Sequence, residues 1–246
     1  MAFAPGGAAP NYCDLELARS ARRAEEGIFI GPAGLTAASG SPIMAADMAR
    51  KAKLEERIAD TAIDLAEEIG WGSLRLRLVA ERLGVPLSDV LAHYRDLDAV
   101  ADAWFGRAWK AMLAAPPKGF AALPAAERIH IVMMRWFDAL EPHRRVTGEM
   151  LAAKAHPPHP HHWAPMIFNL SRTIQWLREA AILDAGGRRR QVEEIGLSAL
   201  FLATLRCWLG DGTPDQERTR AFLARRLDRA DRLMARLWPP EAGEGA

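Results

Sequence analysis

The stretch VAERLGVPLSDVLAHYRDLDAV, residues 79–100, decides the fold because it contains two short helical patterns separated by a tight turn. Apolar residues recur at intervals of three and four on both sides of the turn, which is typical of helices with one buried face. Gly84 and Pro86 supply the stop and start signals between them. The stretch therefore predicts a helix ending at Gly84, a second helix over 87–94, and a longer helix capped by Asp96.

Helical patterns also fill the chain on either side of this stretch. Upstream, an apolar stripe predicts a helix from Arg50 to a stop at Gly70, and Ser73 is the predicted N-cap of the next helix. Downstream, a linker rich in Ala and Pro precedes five further helices, over 125–140, 142–155, 166–182, 188–209 and 214–238. Because no strand pattern or internal repeat occurs, we predict an all-α protein of about nine helices, three short and six longer.

Composition is typical of a soluble globular protein. The 246 residues are 50% hydrophobic and 26% charged, enough to bury a sizeable core in one or two domains. No apolar run approaches the roughly 18 residues that span a bilayer. The N-terminus lacks the basic start and apolar core of a secretory signal. The two cysteines, Cys13 and Cys207, lie far apart, which argues against a disulfide framework. We predict a cytoplasmic protein with no membrane span.

The first 43 residues differ from the rest, since they are rich in Gly, Ala and Pro. This composition predicts a mostly disordered leader. Met44 and Met48 are both candidates for the true translation start.

The distribution of charge is uneven along the chain. Residues 50–107 hold nine Lys and Arg against eleven Asp and Glu, whereas residues 108–246 hold twenty against fifteen. Neutralisation of phosphates usually dominates affinity for DNA. The excess of negative charge in residues 50–107 therefore argues against DNA binding by the helix-turn-helix pattern in that range.

Three segments, RIADTAIDLAEEIGW at 57–71, LVAERLGV at 78–85 and HYRDLDAV at 93–100, together resemble the TetR family of bacterial regulators. The resemblance covers roughly residues 50–240. It implies a three-helix DNA-binding domain at 50–95 and a helical domain at 96–240 that binds ligands and dimerises through its last two helices. The implied function is a ligand-responsive, homodimeric regulator that binds double-stranded DNA, most often as a repressor.

In this family the third helix enters the major groove. Leu87 and Leu97 stand where the family usually carries a basic residue, and Leu74 stands where it has a capping threonine, which leaves Ser73 to cap the second helix. The candidate DNA contacts are Arg50, Lys51, Lys53, Arg75, Arg77, Leu87, Ser88, Asp89, His93, Tyr94 and Arg95. Of the pair His93 and Tyr94, one member is expected to pack inward and the other to lie near a phosphate.

A second group of similar shape is the lipid-binding proteins of ubiquinone biosynthesis, which hold an isoprenoid in the C-terminal cavity and lack the basic surface. The stretch WLGDGTPDQERTRAFLARRLDRAD at 208–231 resembles their closing pattern. Since the N-terminal half is acidic, this alternative stays open beside the regulator.

Methionine and aromatic residues accumulate on the fifth, sixth and seventh helices. Such side chains suit a pliable apolar cavity, although burial in an ordinary core explains each of them singly. We predict a pocket for a small hydrophobic ligand lined by Met133, Trp136, Phe137, Met150, Met166 and Trp176.

The last two helices each carry an apolar stripe. Two such helices can pair with their symmetry mates in a four-helix bundle, and the alternative is burial within one chain. The predicted dimer interface comprises Val192, Ile195, Ala199, Leu223, Leu227, Ala230 and Met234.

Motifs for catalysis are absent from the sequence. It contains no G-x-S-x-G, P-loop, H-E-x-x-H or Gly-rich dinucleotide turn, so we predict that the protein is not an enzyme and uses no cofactor. A histidine cluster, HPPHPHH, lacks a Cys or carboxylate partner nearby, and we predict no specific metal site there. Its members are His156, His159, His161 and His162.

Overall fold

The computed structural model describes residues 42–154 and 163–238, with side chains given from Ala46 and, in the second range, from Asn169. The chain divides into two compact units, Met1–Ala46 and Asp47–Ala246. All contacts discussed below lie in the second unit. The predicted leader up to residue 41, the four histidines of the HPPHPHH segment and the side chain of Met166 lie outside what is described.

Nine α-helices and no strands occupy the described residues, which confirms the all-α prediction. Short 3-10 turns join several of them, at Trp71–Ser73, Phe120–Ala122, Glu141–His143 and Pro214–Gln216. The helices are α1 (Pro42–Ile69), α2 (Leu76–Leu83), α3 (Leu87–His93), α4 (Leu97–Met112), α5 (Ala125–Leu140), α6 (Arg144–Lys154), α7 (Trp163–Ala180), α8 (Gly187–Leu209) and α9 (Glu217–Leu237).

The expected end of α2 at Gly84 and the expected cap of α4 at Asp96 are confirmed. Gly84 ends α2 in the left-handed conformation, with φ of 67°, and its amide donates to the carbonyls of the last turn. Asp96 caps α4, because its carboxylate accepts a hydrogen bond from the Ala99 amide at 2.8 Å. Gly84 thus fixes the turn that leads into α3, and Asp96 fixes the connection that leads out of it.

Several expected boundaries differ from the structure, including those of α7, which spans Trp163–Ala180 rather than 166–182. α1 begins at Pro42 rather than Arg50, because proline suits a first helical turn and the alanines that follow have high helix propensity without an apolar stripe. Ser73 is not the N-cap of α2. It belongs to the 3-10 turn Trp71–Ser73, and Arg75 is the N-cap residue, without a side-chain cap. The turn buries Leu74 completely, which moves the start of α2 further along the chain.

The core is continuous from α1 to α9. α5 lies at its centre and packs against α4, α7, α8 and α9. An aromatic cluster on these helices fills the middle, where Phe137 lies 5.6 Å from both Phe201 and Trp208, measured between ring centroids. No helix in the described ranges is long and apolar enough to cross a membrane.

Candidate functional site

α3 has one face directed into the protein and one directed outward. Val90 and Tyr94 point inward and are almost fully buried. Four residues on the opposite side form what we call the outer face of α3, namely Leu87, Ser88, Leu91 and Ala92, all of which are exposed. Leu87 is 41% exposed and Leu91 is 46% exposed, although both are leucines. The second helix of the helix-turn-helix therefore presents a partly apolar surface to solvent.

Tyr94 stabilises the position of α3 from its C-terminal end. Its hydroxyl donates a hydrogen bond to the backbone carbonyl of Glu55 on α1, at 3.3 Å. Burial, together with the negative charge of Glu55, raises the pKa of Tyr94 to about 12. Of the aromatic pair predicted at this end, Tyr94 thus packs inward and His93 stays half-exposed. As a candidate DNA contact, Tyr94 acts only through the placement of α3.

The basic residues named as DNA contacts are all exposed. Four of them form ion pairs with neighbouring carboxylates, in the pairs Arg50–Asp47, Lys51–Asp47, Arg77–Glu81 and Arg95–Asp96. Arg75 donates instead to the carbonyls of Gly72 and Leu74. Lys53 has no ion pair within the described residues. Exposed pairs contribute only about 0–1 kcal/mol, so a phosphate can displace these carboxylates at little cost.

Sequence reasoning missed a set of contacts that we call the α1–α6 clamp, formed by Glu67, Trp71, Arg145 and Glu149. The Arg145 guanidinium donates to the carbonyls of Ala66 and Glu67, at 3.1 and 2.6 Å, and pairs with the Glu67 carboxylate at 2.8 Å. Glu149 pairs with Arg145 and accepts from the Trp71 amide at 2.6 Å. The clamp gives the Glu67 carbonyl and the Trp71 amide hydrogen-bond partners at the end of α1, and it joins that end to α6.

The residues predicted to line a ligand pocket are mostly in the packed core. Met133, Trp136, Phe137 and Met150 are buried, and Trp136 makes an edge contact with Phe137 at 5.1 Å between centroids. The buried Trp136 indole nitrogen has no hydrogen-bond partner among the described residues. Trp176 is half-buried and meets Trp109 edge-on at 5.5 Å. A ligand role for these residues stays a prediction.

An apolar groove of about 460 Å³ lies elsewhere, between the start of α5 and the helices α8 and α9. None of the predicted pocket residues lines it. Five residues of the predicted dimer interface do, namely Val192, Ala199, Leu227, Ala230 and Met234. Charged side chains at the groove include Arg189, Glu193, Arg226 and Asp231.

The same helices expose large apolar side chains. Ile195 is 72% exposed, and Val192, Leu202, Leu233 and Leu237 are also exposed on α8 and α9. Leu223 and Leu227, which the sequence assigned to the dimer face, are instead buried within the chain, because α9 packs against α5 on that side. Contiguous exposed apolar residues mark interaction surfaces.

The GDGTPD stretch between α8 and α9 is held together by one carboxylate. Asp211 is buried and accepts four hydrogen bonds, from the amides and the hydroxyls of Thr213 and Thr219, at 2.6–2.9 Å. Burial acts to raise the pKa of Asp211, but these four bonds outweigh it and lower that pKa well below its usual range. This stretch therefore has a structural role in starting α9.

Comparison with solved structures identifies the family. A TetR transcriptional regulator from Nitrosomonas europaea ATCC 19718 is 39% identical, and the match covers 73% of this chain and 98% of that chain, with a TM-score of 0.66. The chain belongs to the TetR family. A TetR transcriptional regulator from Rhodococcus sp. RHA1 shares the fold at 15% identity, with 72% and 94% coverage and a TM-score of 0.52.

The chain was also compared with protein-family models and with curated proteins. The family model described as COQ9, the ubiquinone-biosynthesis group considered above, matches residues 194–234. This range covers most of α8, the Asp211 stretch and most of α9, and the two helices line much of the apolar groove. No curated protein matches the chain at a significant level.

Proposed function

We propose that this TetR-family protein is a homodimeric transcriptional regulator in the cytoplasm that binds double-stranded DNA, acts as a repressor and responds to a small hydrophobic ligand. The observation that carries the proposal is the outer face of α3, which is exposed at the second helix of the helix-turn-helix in a chain 39% identical to a TetR regulator. The protein has no enzymatic role in this proposal, since its relatives in solved structures are regulators.

A second copy of the chain is the proposed occupant of the exposed apolar surface on α8 and α9. Ile195, Leu202 and Leu233 would lose solvent contact there, and the groove beside them supplies a concave apolar surface for the partner helix. An isologous pairing of this kind has two-fold symmetry. Two copies of α3 would then lie about one helical turn of DNA apart, as a palindromic site requires.

The proposed route from ligand to DNA passes through the α1–α6 clamp. A ligand in the core around Met133, Trp136 and Met150 would contact α5 and α6, and Arg145 links α6 to the end of α1. A ligand changes DNA affinity only if it binds two conformations unequally. The clamp offers the physical connection through which such a difference would reach α3.

DNA binding is tested by fluorescence anisotropy with genomic fragments, including the region upstream of the protein's own gene, over a range of salt concentrations. We expect sequence-selective binding that weakens as salt rises. Arg95→Ala should weaken binding to all sequences about equally and lower the slope of the salt dependence by about one, as expected for the loss of one phosphate contact. Lys118→Ala, an exposed cation in the loop after α4, is the matched control and should bind normally.

Absence of selective binding even at low salt would reject the regulator. It would favour a lipid-binding function, which the COQ9 match to residues 194–234 and the adjoining apolar groove support. Mass spectrometry of an organic extract of the purified protein distinguishes the two. An isoprenoid lipid in equimolar amount, together with no DNA binding, would establish this second candidate.

A further inference from the structure

The outer face of α3 is chemically unusual for a reading helix. The sequence of the whole helix α3, LSDVLAH, contains no Arg, Lys, Asn or Gln. Those four residue types make the bidentate hydrogen bonds that identify guanine and adenine in the major groove. The side chains that α3 does offer to a base edge are Leu87, Ser88, Asp89 and Leu91, all exposed.

The two exposed leucines have no structural role that would explain them. Leu87 and Leu91 are 41% and 46% exposed, whereas Val90 and Tyr94 on the other side of α3 supply its contacts with the core. Four residues apart, the leucines lie on the same side of the helix, about 6 Å from each other along its axis. They form a small apolar surface at the position that the helix-turn-helix directs toward DNA.

Charge around this surface favours a duplex as its occupant. Arg75 and Arg77 at the start of α2, Lys53 on α1 and Arg95 after α3 are exposed. α2 packs against α3, and the Tyr94 hydroxyl joins the end of α3 to α1, so these cations lie on elements in contact with the reading helix or next to it in the chain. A lipid surface or a second protein copy would bury the leucines equally well, but neither needs flanking cations as DNA phosphates do.

We infer that α3 reads its operator by apolar contact, with Leu87 and Leu91 packed against the C5-methyl groups of thymines about two base pairs apart. Thymine is the base that carries a methyl group in the major groove, and apolar side chains recognise it there. The 6 Å between the leucines corresponds to about two base-pair steps of about 3.4 Å. This inference rests on the proposed function and specifies the class of DNA that the same surface selects.

Asp89 adds a second element to the same readout. Its exposed carboxylate, 3.4 Å from the Ser88 hydroxyl, accepts a hydrogen bond from cytosine N4 and repels phosphate. The operator half-site is therefore expected to be rich in thymine and to contain a cytosine beside the thymines. Guanine and adenine should carry little information on the strand that faces α3.

The inference is tested with an operator selected from a random duplex library by the full-length protein. Each thymine of the selected half-site is then replaced singly by deoxyuridine, which removes the methyl group and keeps all base-pairing groups. We expect two positions at which the replacement weakens binding by roughly fourfold, the value of one buried methyl group. At the other thymines it should have no effect.

Substitutions in the protein assign the two methyl groups. Leu87→Ala should abolish the response to deoxyuridine at one of the two positions, and Leu91→Ala at the other, as a double-mutant cycle would show. Both leucines are exposed, so the two alanine variants should fold. If an alanine variant does not fold, Leu87→Ile or Leu91→Met provides a second test that keeps an apolar side chain. Leu113→Ala, a 45% exposed leucine after α4, is the matched control and should leave both responses intact.

Selective binding that no deoxyuridine replacement weakens would overturn the inference while leaving the regulator in place. A complete lack of selective binding would overturn both. Leucine substitutions that change the oligomeric state in light scattering, with DNA binding unaltered, would show that the leucines contact another protein copy and would likewise overturn the inference.

Discussion

Asp211 shows how much of this fold depends on single side chains. Each of its carboxylate oxygens accepts two hydrogen bonds, one pair from Thr213 and the other from Thr219. A buried carboxylate is tolerated only where such bonds compensate for lost hydration. The residue thereby fixes the turn from which α9 starts.

We expect Asp211→Asn to lower the free energy of unfolding by about 2–3 kcal/mol, because the amide nitrogen cannot accept the two bonds that one carboxylate oxygen receives. Urea denaturation at neutral pH measures the loss. Asp215→Asn is the control, since Asp215 is exposed in the same loop and asparagine tolerates its left-handed backbone. Equal stability of the Asp211 variant and the wild type would show that the network contributes nothing.

The same carboxylate makes stability depend on pH. Hydrogen bonding lowers the pKa of Asp211 in the folded chain below its unfolded value, so the folded state binds fewer protons. The contribution is complete above the unfolded pKa of about 3.9 and is lost as pH falls toward the folded pKa. The difference in unfolding free energy between wild type and Asp211→Asn should therefore begin to shrink below about pH 4. A difference that grows on acidification would contradict this assignment.

The left-handed backbone of Gly84 leads to a prediction about stability. With φ of 67°, a side chain at this position is strained even though a Cβ would meet no atom within 4 Å. Gly84→Ala should therefore lower stability by about 1 kcal/mol through backbone strain alone. Gly106→Ala, in the middle of α4 with equal space and an ordinary helical φ, should raise it by a similar amount. Thermal melts of the two variants should shift in opposite directions.

Among the elements, the α1–α6 clamp determines how the end of α1 is held. Arg145→Lys should lower the urea midpoint of unfolding, because a single ammonium cannot reach two carbonyls and the Glu67 carboxylate together. Hydrogen exchange should accelerate at the amides of residues 70–74. Arg190→Lys, an exposed pair partner of Glu194 on α8, is the control and should change neither quantity. Unchanged exchange in both variants would show that the clamp is not needed to order this segment.

Helix positions were predictable from the sequence because local signals determine them. Periodicity together with Gly84 and Asp96 located α2, α3 and α4. The start of α2 was predicted wrongly at Ser73, since the burial of Leu74 by a 3-10 turn depends on tertiary packing. The clamp was missed for the same reason. Trp71 and Glu149 are 78 positions apart, and nothing in either local pattern indicates that they meet.

The candidate site likewise combines features that the sequence indicates with features that depend on tertiary packing. The resemblance to the family indicated that Leu87, Ser88 and Asp89 on α3 face outward, whereas the inward direction of Leu223 and Leu227 depended on which neighbour α9 packs against. An apolar stripe shows that a helix is buried on one side. It does not show whether the covering surface belongs to the same chain or to a partner.

For the whole molecule, the proposed dimer makes its own prediction. Ile195→Glu places a charge on the most exposed apolar side chain of α8 and should weaken dimerisation by at least about 100-fold, the cost of burying an unpaired charge at an interface. Sedimentation at several protein concentrations measures the dissociation constant. Leu113→Glu is the control for a charge at an exposed leucine elsewhere. A variant that stays dimeric would place the interface on another surface.

The fluorescence of Trp136 can report on events in the core of the protein. Its indole is buried, packed edge-on against Phe137 and Phe201, and its nitrogen has no acceptor among the described residues. An indole in such dry surroundings emits at short wavelength, and an acceptor brought to its N–H shifts the emission to longer wavelength. A Trp136→Phe difference spectrum would isolate this one fluorophore among the eight tryptophans. Unlabelled compounds can then be titrated directly, and a shift in the emission of Trp136 would identify a compound that binds beside this residue.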